Sequence, residues 1–208
     1  MIVRCSSLGK IMTKSRSKTE VLSKTAQSYI KSIAKQDFYN YNLDINTKQM
    51  TKGTEHESTS IELYNSVFFT DHKKNTERIT TEFLTGECDI NTGTKIIDIK
   101  SSWSLETFPA TPSDIDAKDY EWQLRGYMML YNVDSAELAY CMIDTPSELL
   151  NDWDNHSVHK VSHIAPEHRV TTLSFERDEV LEEEIKERCE AAQEFYNNYI
   201  NQLNNKNK

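Results

Sequence analysis

Residues 86–100 read GECDINTGTKIIDIK. Two β-rich runs flank Asn91, Thr92 and Gly93, a sequence suited to a tight hairpin turn. In the second run, from Lys95 to Lys100, side chains alternate across the strand. Asp98 and Lys100 therefore share one face. Ile97 and Ile99 share the other, where a core can bury them. A carboxylate and an ammonium placed this way suit a metal ion and an attacking water. An ordinary strand-surface ion pair, worth little, reads the same way. Asp89 lies on the preceding strand, and folding about the turn brings it toward Asp98. Two carboxylates at hairpin distance repel unless a cation neutralises them, and all-oxygen ligation suits Mg²⁺ or Mn²⁺. The plainer alternative for Asp89 is a turn residue that helps set the hairpin.

Working outward, the spacing predicts helices over 18–38 and 53–69, with a polar loop over 39–49 between them. Strands follow over 77–84, 86–91 and 94–100, then a loop over 102–117 and a helix over 118–132. A strand over 135–144, a short helix over 147–154, a strand over 168–176 and a long helix over 178–203 complete the chain. This order predicts an α/β single domain, a central mixed sheet flanked by helices.

On the helix over 53–69, Glu57 precedes Ile61, Tyr64 and Phe68 by four, seven and eleven positions. It extends their buried seam and points toward the sheet. A carboxylate there needs a partner. His56, beside it, could reach a phosphate or a metal, or serve as a polar packing residue. Gln123 and Tyr127 are four apart on the helix over 118–132 and face the same way. Such a pair can position water or a phosphate, while Leu130 on the same face admits a core role for Tyr127.

The chain has 208 residues, 37% hydrophobic and 27% charged, with five Gly and four Pro, which excludes global disorder and collagen-like repeats. No run approaches the roughly 20 apolar residues that cross a bilayer, and the N-terminus lacks the apolar stretch of a signal peptide. A cytoplasmic protein with no membrane partner is expected. Cys5, Cys88, Cys141 and Cys189 form no C-x-x-C pair, so buried reduced thiols are expected. The net charge of −9 is unevenly spread. Residues 1–52 carry ten Lys and Arg against three Asp and Glu, and residues 53–208 carry fourteen against thirty. A basic N-terminal quarter can hold a phosphate backbone locally on an acidic body; a solvated lysine-rich helix face has the same composition.

Taken together and in this order, the segments resemble the PD-(D/E)xK nuclease superfamily. More narrowly they resemble its phage exonuclease branch, the lambda-exonuclease and YqaJ-like recombinase group. In that branch a helix carries G-x-x-x-E, matched by Gly53 to Glu57. One strand carries the first Asp, matched by Asp89, and the next carries (D/E)-x-K, matched by Asp98, Ile99 and Lys100. A later helix carries the Q-x-x-x-Y of RecB-like nucleases, matched by Gln123 and Tyr127. The resemblance spans roughly residues 4–145.

The resemblance implies a restriction-endonuclease-like fold and a metal-dependent DNA exonuclease, acting 5′→3′ on double-strand ends during recombination. Its catalytic set would be Glu57, Asp89, Asp98, Lys100, Gln123 and Tyr127. Mg²⁺ or Mn²⁺ would be held by Glu57, Asp89, Asp98 and the backbone carbonyl of Ile99. The opening segment, residues 4–12, resembles the family's binding segment for the terminal phosphate, which implies phosphate contacts for Ser6 and Arg16, with His56 as a further candidate. It also implies linear duplex DNA as substrate, a single-strand annealing protein as partner, a trimeric homo-oligomer and a phage-infected bacterial host. Residues 1–52 would form the basic segment that binds DNA ends, 53–145 the catalytic core, 146–203 the C-terminal strand and helices, and 204–208 a frayed tail. Two positions depart from the pattern: Cys88 stands where the motif has Pro, and Glu87 where relatives carry a phosphate-binding serine. The scattered cysteines predict no iron–sulfur cluster. Rival readings are an endonuclease of restriction or junction-resolving type, a non-catalytic DNA-binding recombination accessory protein, and an RNA- or protein-binding domain with coincidental motifs.

Overall fold

Alternation along Lys95–Ser101 puts Ile96 on one side of the strand and Ile97 and Ile99 on the other, and all three are buried. A strand buried on both faces needs a helical layer on each. The computed structural model describes residues 1–17, 19–43 and 45–206. In chain order its elements are β1 (Val3–Arg4), α1 (Leu8–Ile11), α2 (Lys24–Tyr39), α3 (Lys48–Glu55), α4 (Glu57–Phe68), β2 (Ile79–Thr80), β3 (Leu84–Gly86), β4 (Ile90–Asn91), β5 (Lys95–Ser101), α5 (Lys118–Tyr131), β6 (Ser135–Cys141), β7 (Val170–Glu176) and α6 (Glu179–Asn204), with short 3₁₀ turns between them.

Four strands form one mixed sheet in the order β4-β5-β6-β7. β5 runs parallel to β6, and the outer strands are antiparallel to their neighbours. α5 provides the crossover that a parallel pair requires. On one face, Ile96, Ala136 and Leu138 pack against Leu124 and Met128 of α5 and Ile185 and Cys189 of α6. On the other, Ile97, Ile99 and Ala139 pack against Ile61, Leu63 and Tyr64 of α4. A smaller sheet, ordered β1-β3-β2, ties the N-terminus to residues about eighty positions later, with Val3 opposite Leu84.

Several expected boundaries move. The helix expected over 18–38 begins at Lys24, because the Ser23 side chain accepts from the Ala26 N–H and caps it. Residue 18 of that expectation lies outside the described residues. The single helix expected over 53–69 is two helices that meet at His56 (φ −116°, ψ 19°). The first of them starts inside the expected loop, where Thr47 caps it by accepting from the Met50 N–H. The strands expected over 77–84 and 86–91 shorten to β2, β3 and β4 and divide between the two sheets. The helix expected over 147–154 is one 3₁₀ turn at Ser147–Leu149. α6 keeps its helix through Asn204 with Asp178 as cap; residues 207 and 208 of the expected frayed tail lie outside the described residues. All four cysteines are buried and free. Among the described residues no helix is long and apolar enough to cross a membrane.

Candidate active site

The hairpin register sets the site. Ile90 pairs with Ile97, so Asp89, just beyond the end of β4, comes opposite the Asp98 end of β5. In place of a further ladder bond, Asp89 Oδ2 accepts the Ile99 N–H at 2.6 Å. The N–H and C=O of one strand residue point to the same edge. The Ile99 carbonyl is thus turned toward Asp89 where β4 has stopped pairing.

Asp98 is 1% exposed. Its Oδ1 accepts from Gln123 Nε2 at 3.0 Å. Its Oδ2 has no hydrogen bond and is held by Lys100 Nζ at 2.5 Å in an ion pair. Gln123 Nε2 also donates to Tyr127 Oη at 3.1 Å. The i,i+4 pair on α5 is therefore chained onto the strand: tyrosine holds the amide, and the amide holds the carboxylate. Burial, and after it the nearby Asp98 charge, pushes the Tyr127 phenol far above its ordinary range.

Charge crowding shifts the acidities of this cluster. Burial first, then the Asp98 charge, pushes Asp89 up to about 7, against the pull of Lys100 and the Ile99 N–H, with Glu57 adding to the rise. Burial pulls the Lys100 ammonium down, but Asp98 and Asp89 outweigh it and leave Lys100 more basic than an ordinary lysine. Because the folded pKa of Asp89 exceeds its unfolded value of 3.8, its contribution to stability is fully present only below the unfolded pKa and is lost as the pH rises through about 7. In metal-free protein, Asp89→Asn is therefore expected to raise the thermal midpoint at pH 8 relative to wild type, with the difference shrinking at pH 5. A constant difference across that range, read by calorimetry, would contradict this.

Glu57 is the first residue of α4 rather than an interior one. Its Oε2 pairs with Lys74 Nζ at 2.7 Å, while Oε1 is buried without a hydrogen-bond partner. Lys74 comes from the loop after α4 and has no periodic signal in the sequence. That loop is pinned to the hairpin by Asn75, whose N–H donates to the Asp89 carbonyl at 2.7 Å and whose side chain donates to the Cys88 carbonyl at 3.1 Å. Tyr120 also escaped sequence reading. Its ring centroid lies 5.1 Å from Lys100 Nζ, and the signal that could have found it is its place one helical turn before Gln123.

The other sequence candidates separate. Ser6 lines a groove with Tyr120 and Gln123 and a second with Arg4, Arg78 and Tyr127. The N-terminal segment reaches this position because glycines let it approach: a Cβ on Gly86 would meet Cys5 Sγ at 2.9 Å, and one on Gly126 would meet the Leu8 side chain at 2.6 Å. Arg16 is exposed and lines a different groove, with Lys14 and Lys24, which shares no lining residue with those two. The segment that carries it is tied to α6, where Arg188 donates to the Thr13 carbonyl at 3.1 Å. His56 joins α3 to α4, and among the described residues its ring makes no hydrogen bond. Glu87, at the position of departure from the motif, faces Arg78 at 3.4 Å.

The donor set is oxygen-rich: Asp89, Asp98, the Ile99 carbonyl and Glu57, with an orphaned carboxylate oxygen and one strongly raised carboxyl. Among the described residues, no three His, Cys, Asp or Glu side chains are gathered closely enough to form a ready-made ion site. Two lysines occupy carboxylate oxygens of the set: Lys74 pairs with Glu57 and Lys100 with Asp98. The oxygens fit a hard divalent cation, with the ammonium groups standing in as counter-charges.

No protein-family model matches the chain, and no curated protein matches it. Solved structures do. The crystal structure of a phage-related exonuclease from Haemophilus somnus 129PT has a TM-score of 0.91 and 35% identity, covering 98% of this chain and 96% of that one. An alkaline exonuclease from Laribacter hongkongensis has a TM-score of 0.70 at 18% identity, covering 99% of this chain and 92% of that one. The same alkaline exonuclease in complex with dAMP has a TM-score of 0.69, also at 18% identity. At that identity the likeness shows the shared fold.

Proposed function

Because the chain belongs to the phage-related exonuclease family, we propose that it is a DNA exonuclease whose active centre is the acidic cluster at the open end of the β4–β5 hairpin. The observation that carries this reading is the convergence of Asp89, Asp98, Lys100 and Gln123 on one strand end, beside an unpartnered oxygen of Glu57. Asp89, Asp98, Glu57 and the Ile99 carbonyl would hold Mg²⁺ or Mn²⁺. Such an ion supplies Lewis-acid polarisation of the phosphodiester.

The protein's own groups do the rest. Gln123, steadied by Tyr127, fixes Asp98 Oδ1 and so leaves Oδ2 facing the cluster. Lys100 stays protonated beside two aspartates, which makes it a hydrogen-bond donor in this state. Its ammonium orients the attacking water and offsets charge building on the phosphoryl oxygens. The aromatic face of Tyr120 limits where that ammonium can swing. The groove lined by Ser6, Arg4 and Arg78 is the place for a terminal 5′-phosphate, and this reading replaces Arg16 with Arg4 and Arg78. The 5′→3′ polarity, an annealing-protein partner and a trimeric assembly rest on the family resemblance alone.

End-labelled linear duplex DNA tests the reading. With Mg²⁺, mononucleotides are expected to accumulate from the ends, and chelation with EDTA should stop their release. Covalently closed circular duplex should survive the same incubation. Cutting of the circle at a rate similar to the linear form would make the protein an endonuclease.

A further inference from the structure

Lys74 sits where the proposed divalent site needs a free carboxylate. It pairs with one oxygen of Glu57 at 2.7 Å, while the other oxygen is buried and unpartnered. The two ends of this pair differ in freedom: the Glu57 side chain is 15% exposed and the Lys74 side chain 48%. Glu57 is fixed by the first turn of α4. Lys74 is a long, half-exposed side chain on a loop, anchored next door by Asn75 on the Asp89 and Cys88 carbonyls. The anchor keeps the ammonium near the carboxylates without burying it. A divalent ion bound by Glu57 would also repel that ammonium across a few ångströms.

We propose that Lys74 is a built-in counter-cation, which holds Glu57 while the site is free of divalent metal and is displaced when a divalent ion binds. The proposal rests on the reading of Glu57, Asp89 and Asp98 as ion ligands. Lys74 then sets the metal affinity by competition. It lowers the cost of keeping the carboxylates together in the free protein, and it raises the ion concentration needed to fill the site. Lys100, pressed against Asp98 and capped by Tyr120, lacks the same freedom to leave.

Calorimetric titration of chelator-treated protein with Mn²⁺, in the absence of DNA, tests this. Lys74→Met is expected to bind Mn²⁺ about fivefold more tightly than wild type, the scale of one partly exposed ion pair. Lys74→Arg keeps the charge and should bind as wild type does, which separates charge from disturbance of the loop. Glu57→Gln should weaken binding, and adding Lys74→Met to it should recover little affinity. Equal or weaker binding by Lys74→Met, with Glu57→Gln still weakened, overturns the counter-cation role and leaves the ligand reading standing. Unchanged binding by Glu57→Gln, or no saturable binding by wild type, overturns both.

Discussion

Lys100→Ala is expected to lower the proposed Mg²⁺-dependent degradation of linear duplex DNA by about 10²–10⁴-fold, the range for losing a positioned proton-transfer or charge-stabilising group. Asp98→Ala should be at least as damaging. Asp98 gathers the site: one oxygen receives Gln123 and the other faces Lys100. Its removal frees the amide of Gln123, leaves the Lys100 ammonium without its nearest counter-charge, and takes away one of the proposed ion ligands. Neither change should unfold the protein, because the sheet and both cores are built from other side chains of β5, namely Ile96, Ile97 and Ile99. Initial rates on end-labelled duplex, with thermal midpoints measured in parallel, check this. Wild-type rates in either variant would remove the cluster from the chemistry.

The second large effect is on stability. Lys52 of α3 is 1% exposed, and its ammonium lies against the Ser102, Trp103 and Ile143 carbonyls at 2.6, 3.3 and 2.9 Å and the Thr145 hydroxyl at 2.8 Å. Those acceptors belong to the segments that leave the parallel strands β5 and β6, so one ammonium ties both strand exits to α3. Lys52→Met would leave the Ser102 and Ile143 carbonyls without a donor at about 1–3 kcal/mol each, while the Trp103 carbonyl still accepts from the Thr145 hydroxyl at 2.7 Å. A loss of about 3–5 kcal/mol follows, or about 10 °C in thermal midpoint for a chain of this size. Burial pulls the Lys52 pKa down to about 8, with Asp144 opposing. The folded pKa therefore lies below the ordinary 10.5. Its contribution is fullest above the unfolded value and is lost as the pH falls through about 8. The gap between wild type and Lys52→Met should accordingly widen as the pH rises from 8 to 10. A variant as stable as wild type, measured by calorimetry, would show that the strand exits hold without the lysine.

The two residues teach different lessons about reading the chain. Asp98 and Lys100 were legible because strand alternation is local: two positions apart means one face, whatever the rest of the fold does. Gln123 and Tyr127 were legible for the same reason on a helix. Lys52 and Lys74 were not. Each reaches acceptors or a carboxylate outside its own element, and a lone lysine among polar neighbours looks like solvent-exposed surface. The break at His56 was missed because no proline marks it in the sequence.

By itself, the sequence determined the β4–β5 hairpin, the face on which Asp98 and Lys100 lie, the succession α2, β5, α5, β6, β7 and α6, and the pairing of Gln123 with Tyr127. All of these follow from periodicities of two and 3.6 residues and from turn chemistry, which act over a few positions. Only the tertiary structure decided that Ser6 shares a groove with Gln123 while Arg16 lines another, that Lys74 holds Glu57, and that Tyr120 covers Lys100. Ser6 and Tyr120 reach their places through β1 pairing with β3 and α5 packing over β5, and Lys74 through the Asn75 anchor on the hairpin. Contacts between residues far apart in the chain leave no local period, and their selection comes from burying the two core faces together.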